Sequence, residues 1–317
     1  MRLARTFLIV TLIAATAAPA LAFEAGTAGL LFLRLGVSER AAGMGEAYTA
    51  LAGDATALYW NPAGLARTPS TNLRLTHHEY FQSLMQEFVG VAHPTHLGTF
   101  AFGVTALTMD DMELREGPSE EPLGHFSAFD MAFHMAWGKN LFGGVEAGLG
   151  AKWVYSRIYE ESAKGMLFDF GLRHETRIPG LTVAAAVLNM GSQFEYVSET
   201  FDAPLTMKMG LALNTPIHMG DNDLLIAYDL LLVGDGDVTS DDSLGEARAM
   251  STRHHMGAEW QVAEIAALRL GYKVGYDSQN LSAGAGIALG QYRFDYAFVN
   301  SDNDLGSSHR LGLGIDF

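Results

Sequence analysis

Phe129-Asp-Met-Ala-Phe-His-Met-Ala-Trp137 is the stretch on which the fold turns. In an extended strand, successive side chains point to opposite sides. Phe129, Met131, Phe133, Met135 and Trp137 therefore share one face, and Asp130, Ala132, His134 and Ala136 share the other. One face is uniformly large and apolar, while the other is small with sparse polar groups. The exposed face of a soluble sheet would be dense in Lys, Glu and Thr. Lipid outside and a narrow, filled interior suit this pattern better. The contrast returns in Tyr292, Phe294, Tyr296 and Phe298 against Arg293, Asp295 and Ala297, and in His309, Leu311, Leu313, Ile315 and Phe317 against Arg310, Gly312, Gly314 and Asp316.

Extended along the chain, the period-two pattern predicts about fourteen strands from Asn72 to Phe317. They fall at 72–81, 84–93, 98–109, 127–138, 143–157, 165–175, 181–190, 204–214, 223–233, 251–261, 264–274, 281–288, 292–300 and 308–317. The connections alternate. Pro94–Leu97, Lys139–Phe142, Thr176–Gly180, Val262-Ala263 and Leu289–Gln291 are short. Asp110–Phe126, Ile158–Lys164, Gly191–Ala203, Gly234–Met250 and Ser301–Ser307 are longer and tend to be acidic. Short turns at one end and long loops at the other are the habit of outer-membrane barrels. No apolar run after Ala22 is long enough for a transmembrane helix. A membrane protein without such helices must close its sheet, because lipid offers backbone polar groups no partner. The predicted fold class is all-β: a transmembrane antiparallel barrel with a short, partly helical N-terminal plug. Trp137, Trp153, Tyr155, Trp260, Tyr272 and Tyr276 are expected in interfacial girdles.

Composition narrows the function classes. The chain has no Cys, which excludes disulfides and Cys-based zinc or redox chemistry. Its net charge of −16 argues against nucleic acid and anionic lipid heads. Residues 1–22 read as a cleavable signal peptide. Arg2 and Arg5 precede the apolar stretch Phe7–Ala18, and Ala20-Leu21-Ala22 forms the cleavage site. Residues 23–71 are then the plug or hatch, and 72–317 the barrel.

The segment before the barrel breaks the alternation. Ser38-Glu-Arg-Ala-Ala-Gly-Met-Gly-Glu-Ala-Tyr-Thr-Ala-Leu-Ala-Gly-Asp54 is rich in helix formers, with Ser38 and Asp54 as N-caps of two short helices. Asn61-Pro62 stops the second, since a residue before proline leaves the α region. Two placements are open to it: inside the closed sheet, or as a cap outside.

Gly29–Val37, Arg40-Ala-Ala-Gly-Met-Gly-Glu-Ala47 and Ala55–Leu65, with its Tyr59-Trp60-Asn61-Pro62-Ala63-Gly64, resemble the PorV/PorQ-like outer-membrane proteins. More distantly, they resemble the FadL-type hydrophobic-compound transporters. The resemblance covers about Gly26–Ala66 and implies an N-terminal hatch and an outer-membrane location in a Gram-negative-type envelope. Its plug motif is Arg40, Gly43, Met44, Gly45, Glu46, Tyr48, Asp54, Tyr59, Trp60, Asn61, Pro62 and Gly64.

By register, Glu146, Lys152, Asp169, Arg173, Lys208, Asp229, Glu259, Arg269, Lys273, Arg293, Asp295, Arg310 and Asp316 face the lumen. A buried ion needs a partner to offset desolvation, so these charges are expected to pair with one another and with Arg40, Glu46 and Asp54. No Gly-x-Ser-x-Gly elbow, His-Glu-x-x-His or phosphate loop occurs, and no catalysis, metal or cofactor is expected. His77-His78 and His254-His255 cannot each share an ion, because adjacent strand residues point apart. Asp235–Glu246 superficially mimics a calcium loop but lacks its Gly at the sixth position, and reads as a solvated acidic loop. The FadL resemblance implies passage of a hydrophobic small molecule. The PorV resemblance implies a secretion or surface-assembly accessory whose partners are exported proteins or secretion machinery. The remaining expected partner is outer-membrane lipid.

Overall fold

The computed structural model describes residues 29–80, 84–115, 117, 121–218, 222–234, 251–263, 265–276, 280–301 and 306–317. The expected signal peptide, residues 23–28 and the acidic loop Asp235–Glu246 lie outside the described residues.

Among the described residues, sixteen strands follow a short helical segment. They are β1 (Asn72–Glu79), β2 (Leu84–Thr95), β3 (Gly98–Leu114), β4 (Gly124–Asn140), β5 (Val145–Ile158), β6 (Glu161–Glu175), β7 (Leu181–Gly191), β8 (Phe194–Tyr196), β9 (Glu199–Phe201), β10 (Thr206–His218), β11 (Asn222–Val233), β12 (Ser251–Val262), β13 (Ala266–Val274), β14 (Leu281–Leu289), β15 (Tyr292–Asn300) and β16 (Ser307–Asp316). All but β8 and β9 form one closed antiparallel barrel of fourteen strands in chain order, and β1 closes it by pairing with β16. That seam runs in unbroken register from Asn72↔Asp316 to Glu79↔His309.

Burial follows the period of two. β2 alternates buried and exposed residues from Leu84 to His93, and β6 does so from Met166 to Arg173. The exposed face carries Phe102, Phe133, Met135, Leu149, Phe168, Phe170, Leu270, Phe294 and Leu311. So apolar a surface on a closed sheet is a lipid-facing one. The wall is uneven. β3 and β4 have 17 residues each, whereas β13, β14 and β15 have 9 and β1 has 8.

The segment before β1 lies inside the barrel. It comprises 3-10 turns at Leu31–Arg34 and Pro62–Arg67 and short helices at Glu39–Gly43 and Ala57–Trp60. Ala41, Met44, Ala47, Ala52 and Ala63 are 0% exposed, and Gly45, Met44 and Pro62 lie against the inward-facing wall glycines Gly271, Gly257 and Gly148. Pro62 starts its turn with Asn61 capping: the Asn61 Oδ1 accepts the Ala63 amide at 3.1 Å.

Several loops depart from the sequence expectation. The strands flanking Asp110–Phe126 continue to Leu114 and resume at Gly124 beyond a register shift between Met109 and Met112. Ile158–Lys164 is mostly strand, turning only at Tyr159-Glu160. Gly191–Ala203 holds the β8–β9 hairpin. Tyr276 is not in a girdle: its hydroxyl meets His255 Nε2 at 2.7 Å, and its ring lies beside Lys273. Trp153 sits within β5, 5.6 Å from Phe133, rather than at a strand end.

Candidate functional site

The inner segment touches the wall backbone to backbone, and wall glycines make this possible. A methyl group built on Gly271 of β13 would meet the Gly45 nitrogen at 1.9 Å. On Gly148 of β5 it would meet the Pro62 carbonyl carbon at 2.1 Å. Both distances are shorter than any van der Waals contact, so any side chain here would displace the segment. Gly43 packs on Gly284 and Met44 on Gly257 in the same way. The Gly45 amide also donates to Ser282 Oγ at 3.1 Å. Gly64 fits under the Ala52 carbonyl within the segment itself.

Charges then fix the segment to the wall. Arg40 donates to both oxygens of Glu259, at 2.8 and 2.6 Å. Glu46 stands 3.2 Å from Arg310 and 3.8 Å from Lys273. Burial alone would raise its pKa, but those two cations prevail and hold it at about 2. Asp54 accepts from Arg74 of β1 at 2.7 Å and from the Thr56 amide at 2.9 Å, while Thr56 rather than Asp54 is the N-cap of the helix Ala57–Trp60. Asp229 accepts the amides of Tyr48 and Thr49 at 2.9 and 2.8 Å. Asn61 ties the segment to β6 by donating to the Leu172 carbonyl at 3.3 Å. Tyr59 and Trp60 hold the segment to itself, donating to the carbonyls of Leu33 and Val37 at 2.9 and 2.7 Å. Trp60 packs edge-on against both Tyr48 and Tyr59.

The remaining wall charges pair within the wall or against segment backbone. Lys152 lies 2.9 Å from Asp169 and donates to Asn189 Oδ1 at 2.6 Å. Arg173 joins Glu146 at 2.7 Å and the Ala50 carbonyl at 3.0 Å. Arg269 bridges Glu259 and Asp295, both at 2.6 Å. Asp316 takes Arg74 at 2.8 Å and Arg293 at 4.0 Å. Lys208 instead lies over the Trp60 ring, 4.3 Å from its centroid.

Sequence reading missed some anchors. Arg74 faces inward by the parity of Asn72, Thr76 and His78, so its pairing with Asp54 was accessible to that argument. Gln86 Nε2, bonded to the Leu35 carbonyl at 2.9 Å, and Asn189 are uncharged and were passed over. Towards the long-loop end the contacts turn apolar. Leu30, Phe32 and Leu33 cluster with Phe194 of the hairpin and with Val154 and Leu167 of the wall. A rim of polar groups borders this cluster, where Tyr196, Ser156 and Asp130 hydrogen-bond. No period marks strands as short as β8 and β9, so nothing in the pattern foretold the hairpin.

A family model described as an uncharacterised protein family (UPF0164) matches residues 13–168, a little under half of the chain. Comparison with curated proteins finds no match. Among solved structures, the chain is similar to the Pseudomonas putida toluene transporter TodX. The identity is 12%, the TM-score 0.65, and 89% of this chain and 99% of that one are covered. It is also similar to the CymD monoaromatic hydrocarbon channel, with 14% identity, a TM-score of 0.63, and 89% and 98% covered. The Ralstonia pickettii toluene transporter TbuX follows, with 12% identity, a TM-score of 0.61, and 89% and 98% covered. At such identities the shared property is the fold. The wider part of the resemblance, to hydrophobic-compound channels, agrees with that fold. The narrower PorV/PorQ-like part is not confirmed.

Proposed function

We propose that the protein is an outer-membrane barrel that passes small hydrophobic molecules, with its N-terminal segment as a plug. The observation that carries this reading is the apolar cluster of Leu30, Phe32, Leu33 and Phe194 inside a wall whose other inward groups are small residues interspersed with paired charges. An apolar cluster at one end of a plug held by ion pairs suits a solute that sheds water, and it opposes the passage of hydrated ions. The fold shared with monoaromatic hydrocarbon channels supports the same direction. A solute skirting the plug, or leaving through the wall, would account for passage without an open aqueous pore. The plug would be residues 23–71, following a signal peptide at 1–22. No observation specifically favours the secretion-accessory role.

The test is reconstitution in liposomes. Uptake of a monoaromatic hydrocarbon should exceed that of protein-free vesicles, while a planar bilayer containing the same protein stays nearly silent to ions. Steady ion conductance with no gain in hydrocarbon uptake would defeat the proposal.

A further inference from the structure

Glu39 is a carboxylate without a counter-ion among the described residues. It opens the helix Glu39–Gly43, is 7% exposed, and its Oε1 has no hydrogen-bond partner. It lies directly against Gly312 of β16, where an added methyl group would meet its Cδ at 2.0 Å. The preceding residue, Ser38, is held at a φ of 88°, in the region L-residues disfavour.

The surrounding charges have other partners, although Arg310 Nε, like Glu39 Oε1, has none. From β13, Arg269 binds Glu259 and Asp295. From the helix itself, Arg40 binds Glu259. From β16, Arg310 binds the Gly36 carbonyl at 2.8 Å and Glu46 at 3.2 Å. Asp295, on β15, is the like charge that acts on it, and Gly284 and Gly286 on β14 carry none. From β1 come the Thr76 hydroxyl, His78, whose Nδ1 meets Gln86, and Arg74, which binds Asp54 and Asp316. Two guanidiniums, Arg40 and Arg269, thus serve Glu259 and Asp295 and leave Glu39 as the surplus acid. Burial raises its pKa to about 7; Thr76 and Arg310 pull the other way, and Asp295 adds to the rise.

We propose that Glu39 is a proton-operated latch on the plug. Protonated, it lets the helix seat on the glycine floor of β14 and β16. Ionised, it forces an unpaired charge beside Asp295 and lifts that end of the helix from the wall. The seated form binds the proton more tightly than a free carboxyl of 4.5 does, so seating weakens as pH rises from about 4.5 to about 7. At tenfold per unit of difference, the seating equilibrium can change by up to roughly three-hundredfold. Only the consequence for transport rests on the function proposed above.

The chain has no Cys, so Ala42→Cys, at a position 1% exposed in the same helix, supplies a single reporter. The full-length assembled protein would be treated with a thiol reagent from about pH 5 to about pH 9. Its rate would be divided by that of Thr95→Cys, at an exposed position. The ratio should rise at least roughly tenfold from about pH 5 to about pH 7 and level off above that. With Glu39→Gln added, it should stay low throughout. A flat ratio without that second substitution, or the same rise with it, overturns the latch. Should the Glu39→Gln variant fail to assemble, Thr76→Val serves: losing a donor to the ionised form must move the midpoint upward, and an unmoved midpoint overturns the proposal. Loss of hydrocarbon uptake with this profile intact would count against the transport reading and leave the latch standing.

Discussion

At the scale of single residues, Glu46 shows how a buried charge can be both costly and necessary. Its φ of 63° is unusual for a residue with a side chain, and it is the carboxylate between Arg310 and Lys273. Glu46→Gln leaves those cations without it, at a cost of about 3 kcal/mol for a broken buried pair. The sign with pH follows from its lowered pKa. The contribution is complete above the free value of 4.5 and is lost as pH falls through about 2. Wild-type melting temperature should therefore drop across that acid range, whereas Glu46→Gln should start lower at neutral pH and lose this part of the slope. Phe133 poses the opposite problem on the outer face, where it is 43% exposed. Phe133→Arg should impair assembly by roughly 2–4 kcal/mol if it lies near the bilayer midplane. A heat-modifiability gel reads this directly, and an undiminished folded band would refute the lipid-facing assignment.

At the scale of elements, the inner segment and the wall are complementary in shape before they are complementary in charge. Gly271→Leu should block seating while leaving the strand pairing of β12, β13 and β14 intact, since its side chain points inward and makes no ladder bond. Removing residues 24–71 altogether should likewise leave an assembled barrel, closed by its own backbone hydrogen bonds. Both variants should conduct ions in single-channel recordings, with a conductance that depends on salt and pH because lumenal charges have lost partners. Silence from the assembled deletion variant would mean that the wall, not the segment, closes the lumen.

At the scale of the whole molecule, alternation made fourteen strands legible because each spans a boundary between unlike surroundings. The same rule put Arg173, Glu146, Lys152 and Asp169 on the inward face but named no pairs; the structure joins Arg173 to Glu146 and Lys152 to Asp169. It failed where the period is broken or absent: at the Met109/Met112 shift, in the three-residue strands of the hairpin, and at Tyr276, beyond the last ladder pair of β13. The partners of the inner segment were only half legible, because nothing local says which wall strand a given segment residue will meet. Glu39 was missed for a simpler reason. An acid in the first turn of a helix looks like ordinary dipole compensation until Gly312 is seen pressed against it.

The closing seam sets an order of events in time. Arg74 and Asp316, bonded across β1 and β16, are 242 positions apart, and contacts that distant form late because so much chain must first be gathered. The inner segment precedes β1 and ends up clasped by strands from both halves of the chain. It must therefore be threaded into place before the ring shuts, while β16 is still free to swing. A Cys pair across β1 and β16 should become cross-linkable last during refolding, well after one across the β3–β4 hairpin. The low wall where the two ends of the barrel meet is then less a weakness than a door, left open until its contents are aboard.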